Sequence, residues 1–390
     1  MPISTKVENM NETFDVIIIG AGAMGGAAAY YFSKRKQRVL LLEQFELDHR
    51  RGSSYGYSRI IRYSYDYPEY VELAKDTFPL WFALSDSLGE QLYVKTGGID
   101  FGPADDEMLR ATIESVQSAM IEHELLSVEE AHKRFPQYRF GEDFRILYQP
   151  DSGFVKASKA VRGHIRLARQ NGAILKDNTV VKSVSINQDS VEVATSAGDY
   201  SAGKLVVTAG SWARSLLLET GLDLPLTPLR CQLNFMSTPS SKIYESDICP
   251  VWIAHVSGLF PESLYGIPSH GGSGFKIAFH GGAPHSHPSE IDYNPDPENV
   301  EGVRDFLRSH IPGLADAPVR ESRICLYTQT PDEHFIVDKH PQHAHVVIGA
   351  GFSGHGFKFS TIVGKMLSDL ALDGTTPHND RLFKISRFSA

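Results

Sequence analysis

Short apolar runs ending in glycine recur along the chain, and between them the apolar spacing shifts from continuous to helical to alternating. Residues 15–19 form a short continuous run, β-branched from Val16 onward, the pattern of a strand buried on both faces of a parallel sheet. Gly20, Gly22 and Gly25 follow, then an alanine-rich helical segment at 24–34, then a second apolar run at 39–42 ending at Glu43. This order predicts a βαβ unit. Residues 205–208 and 346–348 repeat the strand-then-glycine theme, leading into Gly210 and into Gly349 and Gly351. Separated pieces of one nucleotide-binding lobe account for this better than three domains. Residues 230–236 and 275–279 alternate as strands of an antiparallel sheet do, and that sheet is expected to floor a second, substrate-binding lobe.

G-x-G-x-x-G is a modest signal alone, but here it sits between strand and helix, with an acidic residue 23 positions after Gly20. Gly20 permits the tight turn, Gly22 lets backbone N–H groups approach a pyrophosphate, and Gly25 lets helix and strand pack closely. Glu43 is expected to accept hydrogen bonds from an adenosine ribose, and its charge repels a 2′-phosphate, which favours FAD or NAD over NADP. The apolar stretch at 16–32 is explained by the βα unit without a membrane.

Composition narrows the classes. The 390 residues suffice for two packed lobes, and 42% hydrophobic with 22% charged residues is ordinary for a globular protein. A formal net charge of -9 argues against nucleic-acid or anionic-membrane partners. Cys231, Cys249 and Cys325 cannot all pair and lack C-x-x-C spacing. Residues 1–12 lack the order of a secretory signal, and 388–390 are not an S-K-L type address. A soluble, monomeric, cytoplasmic enzyme is expected. The Gly/His/Pro-rich stretch at 270–288 reads as a long surface excursion; His285 and His287 read as solvated, and no metal is expected.

After the βαβ unit comes Gly52-Ser53-Ser54-Tyr55-Gly56-Tyr57-Ser58-Arg59-Ile60-Ile61-Arg62. With Thr96-Gly-Gly, Tyr265-Gly-Ile-Pro, Lys276, Cys325-Leu-Tyr-Thr-Gln-Thr-Pro-Asp-Glu, Gly351 to Lys358 and the closing Ile385-Ser-Arg-Phe388, it resembles the monomeric sarcosine oxidase and pipecolate oxidase family. The resemblance implies an α/β, two-lobed FAD-dependent oxidoreductase fold, with a Rossmann-like FAD-binding domain at 1–90, 145–222 and 322–390. An antiparallel-sheet substrate domain would take 91–144 and 223–321. It also implies an enzyme that dehydrogenates secondary-amine amino acids, with FAD held covalently by Cys325 and O2 as acceptor, giving hydrogen peroxide.

By the same resemblance, Arg62 and Lys358 bind the substrate carboxylate, where a guanidinium fork and an ammonium suit the task. Lys276 is the oxygen-activating cation over the flavin, Tyr265, His280 and Tyr327 line the substrate pocket, and Ser58, Arg59, Gly351, Gly354 and Lys358 border the cofactor. From the residues alone, Arg62 could be an internal ion pair, Lys358 solvated, Lys276 a strand-edge lysine reaching water, and Cys325 a small buried hydrophobe. Two departures stand out. Tyr55 occupies the family's histidine position, and residues 249–264 match poorly. An oxidase of larger N-substituted amino acids such as sugar-amine adducts, a dehydrogenase using another acceptor, and a non-catalytic nucleotide sensor remain alternatives.

Overall fold

The computed structural model describes residues 12–388. Residues 1–11 and 389–390, on which the readings of a leader and a terminal address mainly rest, lie outside them. The predicted βαβ unit is present as β1 (Glu12–Ile19), α1 (Ala23–Lys34) and β2 (Val39–Leu42). β1 pairs in parallel with β2 on one side and with the strand Gly198–Val207 on the other. Gly198–Val207 in turn takes Val346–Ala350 as a parallel neighbour, so the three strand-then-glycine segments lie together in one eight-stranded sheet.

Helix α1 is alanine-rich for a packing reason. It is clamped between the helices Ala157–Gln170 and Ser360–Asp373, and a Cβ placed on Gly364 would come within 2.6 Å of the Ala27 methyl. Only small side chains let helices approach so closely. Residues 16–32 are thereby used up by strand, turn and helix, and among the described residues no helix is long and apolar enough to cross a membrane.

The second sheet has nine strands, with Thr227–Met236 antiparallel to both Phe275–Phe279 and Val319–Gln329. Helix Pro297–His310 covers one face, where Phe306 stacks on Trp252 with centroids 5.2 Å apart. Burial of such side chains contributes about 1.5–3 kcal/mol each. Strands Phe144–Gln149 and Val319–Gln329 belong to this sheet, so sheet membership extends it beyond residues 91–144 and 223–321.

The expected surface excursion at 270–288 is corrected here. Phe275–Phe279 runs through the interior of the second sheet, flanked by Thr227–Met236 and Leu264–Ile267. Phe275 and Ile277 enter the core on one side while Lys276 and Ala278, also buried, point the other way. The Gly/His/Pro content misleads because glycines and histidines flank the strand rather than occupy it. His285 and His287 are half-buried, and the His287 ring bonds Ser289. A small sheet of Arg59–Ile61, Gly153–Val155 and Tyr93–Lys95 carries the segment leading to Arg62.

Candidate active site

The site begins at the turn after β1. Gly20 has φ 99°, and a Cβ there would lie 2.4 Å from the Thr208 carbonyl oxygen. Gly25 is the tighter case, since a Cβ would lie 1.8 Å from the Gly20 oxygen. Glu43, buried at the end of β2, accepts from the backbone N–H groups of Ala21 at 2.9 Å and Phe45 at 3.1 Å. The carboxylate therefore braces the glycine turn, with His49 Nε2 3.5 Å from its Oε1. Ser54 Oγ accepts from Ala23 N at 2.9 Å, tying the 52–59 loop to the start of α1.

A cavity of ≈ 830 Å³ leads from this turn to the second sheet. Every residue that the sequence offered for binding or catalysis borders it except Gly25 and Ser58. Gly25 works behind the turn as a packing glycine. Ser58 is buried beside the cavity, and its carbonyl accepts from Arg59 Nη1 at 2.9 Å and Lys276 Nζ at 3.5 Å. Arg59 also donates to the carbonyls of Ser53 and Tyr55, holding the loop in shape.

Cys325 lies on strand Val319–Gln329, in direct register with Cys231 on the neighbouring strand, and both are free thiols. Lys276 is 2% exposed, which excludes the solvent-reaching alternative. Its ammonium lies 5.2 Å from the centroid of the Tyr265 ring. Burial, followed by the nearby Arg59, pulls its pKa well below the usual lysine range. His280 lies beside Tyr265 and Tyr327; burial, then Lys358 and Arg62, bring it down to about 4, so it is neutral at neutral pH. Gly354 has φ 79°, and a Cβ there would strike the Tyr327 ring at 2.2 Å.

Arg62 and Lys358, 296 positions apart in the chain, meet at Tyr65. Lys358 is buried and donates to Tyr65 Oη at 2.6 Å and to the His355 carbonyl at 2.8 Å. The Arg62 guanidinium lies 4.7 Å from the centroid of the Tyr65 ring. Burial, then the Arg62 charge, holds the Lys358 pKa well below its usual range. Arg62 forms an ion pair with Asp100 at 3.0 Å, as one alternative foresaw. All its hydrogen bonds use Nη1, and Nε and Nη2 make none among the described residues. One arm is anchored and the other edge is open.

A family model described as FAD dependent oxidoreductase (DAO) matches residues 15–370. The chain belongs to that family. It is 39% identical over 384 residues to monomeric sarcosine oxidase of Bacillus sp. (strain B-0618), covering 97% of each chain. It is 31% identical over 380 residues to N-methyl-L-tryptophan oxidase of Salmonella heidelberg (strain SL476), covering 96% of this chain and 99% of the other. Among solved structures it resembles NikD, described as an unusual amino acid oxidase essential for nikkomycin biosynthesis, in its open form. The TM-score is 0.85 at 25% identity, covering 96% and 97% of the two chains.

The α/β fold of this FAD-dependent family accounts for the cradle, and FAD is the cofactor that fits it. Gly20 and Gly22 keep the turn free of side chains at the N-terminus of α1, where anions are favoured, and Glu43, just after β2, accepts from Ala21 of that turn. Several site residues were not read from the sequence: Tyr65, which joins the two cations; Asp100, which anchors Arg62; and Trp81, whose Nε1 donates to the Lys358 carbonyl at 2.7 Å. None carries a local signal, because each makes a contact across 38 or more positions: Tyr65 with Lys358, Asp100 with Arg62 and Trp81 with Lys358. Tyr55 borders the cavity between two arginines, with Arg50 and Arg323 each 5.1 Å from its ring centroid.

Proposed function

We propose that the chain is an FAD-dependent oxidase of secondary-amine amino acids, acting on N-methylglycine, other N-methyl amino acids or L-pipecolate with O2 as electron acceptor. The observation that carries this reading is the convergence of Arg62 and Lys358 on Tyr65, with one guanidinium edge open to the cavity. A carboxylate docked there would accept a fork from Arg62 and a point charge from Lys358. Its arrival would also favour the protonated form of Lys358, whose pKa burial lowers. The names of the relatives support the same substrate class.

When bound, FAD would supply the redox chemistry: acceptance of a hydride equivalent from the carbon beside nitrogen, leaving an imine that water hydrolyses, and delivery of two electrons with two protons to O2, giving hydrogen peroxide. The protein's part is alignment and electrostatics. Arg62 and Lys358 fix the acid group, and their positive field favours loss of the ammonium proton, so the amine lone pair is free. His280, neutral at neutral pH, and Tyr265 and Tyr327, whose hydroxyl pKa values burial raises, line the amine's pocket without adding charge. Lys276 would stabilise negative charge developing on oxygen, and Cys325 would hold the flavin covalently. Residues 1–90, 145–222 and 322–390 would form the cofactor lobe, with Phe144–Gln149 and Val319–Gln329 lending strands to the substrate sheet. The free thiols fit a cytoplasmic location.

A second chamber of ≈ 410 Å³ shares His280, Tyr327 and Glu333 with the main cavity. It favours, as a second reading, larger N-substituted amino acids. A panel of N-alkyl and cyclic amino acids, sugar-amine adducts and their decarboxylated analogues, read by peroxide formation under air, separates the two. Acids should be oxidised far better than decarboxylated analogues. Arg62→Ala should raise the substrate requirement by roughly two to four orders of magnitude, about the 3–5 kcal/mol of breaking a buried ion pair. Equal turnover of the decarboxylated amines would overturn the assignment.

A further inference from the structure

Behind the carboxylate clamp lies a buried pair that no motif marked. Asp100, on strand Gly98–Pro103, is 3% exposed. Its carboxylate accepts from Arg62 Nη1 at 3.0 Å, Ser64 Oγ at 2.7 Å and, in the neighbourhood of the same oxygen as Arg62, lies 3.2 Å from His255 Nε2. His255, equally buried, follows the strand Val251–Ala254, and its N–H donates to the Phe101 carbonyl at 2.8 Å. That bond sets the imidazole across from Asp100. His255 Nδ1 is buried without a hydrogen-bond partner among the described residues, 4.0 Å from Asp106 Oδ1.

We propose that Asp100 and His255 are a positioning pair for the clamp: they hold one arm of the Arg62 guanidinium so that its other edge faces the substrate's acid group. The inference rests on the carboxylate-clamp reading of Arg62 and adds residues to it. A buried carboxylate is costly unless it is paired and hydrogen-bonded, and an apolar side chain of similar size would cost less. Burial pushes the Asp100 carboxyl up, yet Arg62, His255 and Ser64 together outweigh it and hold it below its usual range, so it stays ionised where Arg62 needs an anion. Three donors on one carboxylate fix its direction. Among the described residues every Arg62 hydrogen bond uses Nη1, so Asp100, together with the Ser64 carbonyl and hydroxyl, sets the plane of the guanidinium. A bidentate grip depends on that plane.

The test uses the FAD-loaded enzyme, with acetate as the carboxylate probe titrated by flavin absorbance, and anaerobic flavin reduction by N-methylglycine. His255→Phe keeps the ring volume and removes the donor to Asp100. Acetate should bind about tenfold more weakly, N-methylglycine should show a matching rise in dissociation constant, and the limiting reduction rate should stay within about threefold. His255→Gln keeps an N–H donor and should recover most of the loss. Ser64→Ala removes a second donor to the same carboxylate and an acceptor of Arg62 Nη1 and should weaken acetate binding by about threefold; if the Phe variant does not fold, His255→Leu, which also removes the donor, decides the matter by the same loss of acetate binding. Arg62→Ala serves as the reference. If it leaves acetate binding unchanged, the clamp reading itself fails. If it weakens acetate while His255→Gln and Ser64→Ala bind like the parent and any folded His255→Phe does too, only the positioning pair is overturned. A His255→Phe loss that Gln does not recover would show that ring packing, not donation, is what His255 supplies, and would also overturn it.

Discussion

Cys325 and Cys231 face one another across adjacent strands, yet only Cys325 borders the cavity. Burial, then the neighbouring Cys325, pushes the Cys231 thiol well above its usual range, which keeps it protonated and unreactive. Acid precipitation of the protein should therefore leave yellow colour and FAD mass in the pellet, on a peptide containing Cys325. Cys325→Ser should release the flavin to the supernatant, whereas Cys231→Ser should not; colour wholly in the supernatant of the parent protein would reject the link. Lys276 is the second test at this scale. Lys276→Met should slow reoxidation of reduced flavin by roughly two to three orders of magnitude while anaerobic reduction changes much less. Thermal stability should not fall, because replacing a buried cation by an apolar chain of similar volume is often neutral or better. Equal losses in both half-reactions would remove Lys276 from the oxygen step.

Among the elements, the glycine turn separates packing from ligand approach. A Cβ at Gly25 would meet the Gly20 carbonyl at 1.8 Å, whereas one at Gly22 would meet only Ser54 Oγ at 3.0 Å. Gly25→Ala should therefore yield little folded protein, since two backbone segments must part, at a cost above the 1–3 kcal/mol usual for an overpacked site. Gly22→Ala should fold, with the Ser54 hydroxyl yielding, and show weakened FAD binding in a thermal-shift titration. Similar expression and FAD content for both variants would contradict this division. The βαβ unit was legible because its signals are local: a continuous buried run, a turn that steric rules reserve for glycine, and a carboxylate at a fixed distance. The strand Phe275–Phe279 was legible as a strand from its alternation. Its interior place in the sheet was not, because alternation marks two unlike faces and here the second face is a buried cavity wall holding Lys276 rather than solvent.

Taken as one molecule, the protein carries buried histidines whose lowered pKa values contribute to a loss of stability in acid. His164, on helix Ala157–Gln170, is 1% exposed. Burial takes it from 6.5 to about 3, against a small opposing effect of the Ala160 backbone. His280 behaves alike, at about 4. Each has a folded pKa below its unfolded value, so each contributes stability above pH 6.5 that is lost as pH falls toward the folded value, where the unfolded chain binds the proton and the native one does not. Between pH 7 and pH 4 His164 alone should remove on the order of 3 kcal/mol. His164→Met should unfold at a less pH-dependent temperature over that window; an unchanged pH dependence would place the acid sensitivity elsewhere. What the sequence determined by itself were features that depend on near neighbours or on motif resemblance: the glycine turn, the strand runs, Cys325 in its segment, and the pairing of Arg62 with Lys358 as an expectation. Only the tertiary structure decided what those residues touch. Tyr65 lies 293 positions from Lys358, Asp100 lies 38 from Arg62, and His255 lies 155 from Asp100. No periodicity extends so far; these contacts exist because two sheets and a small third one fold against each other and bring together buried charged and polar groups that must satisfy one another.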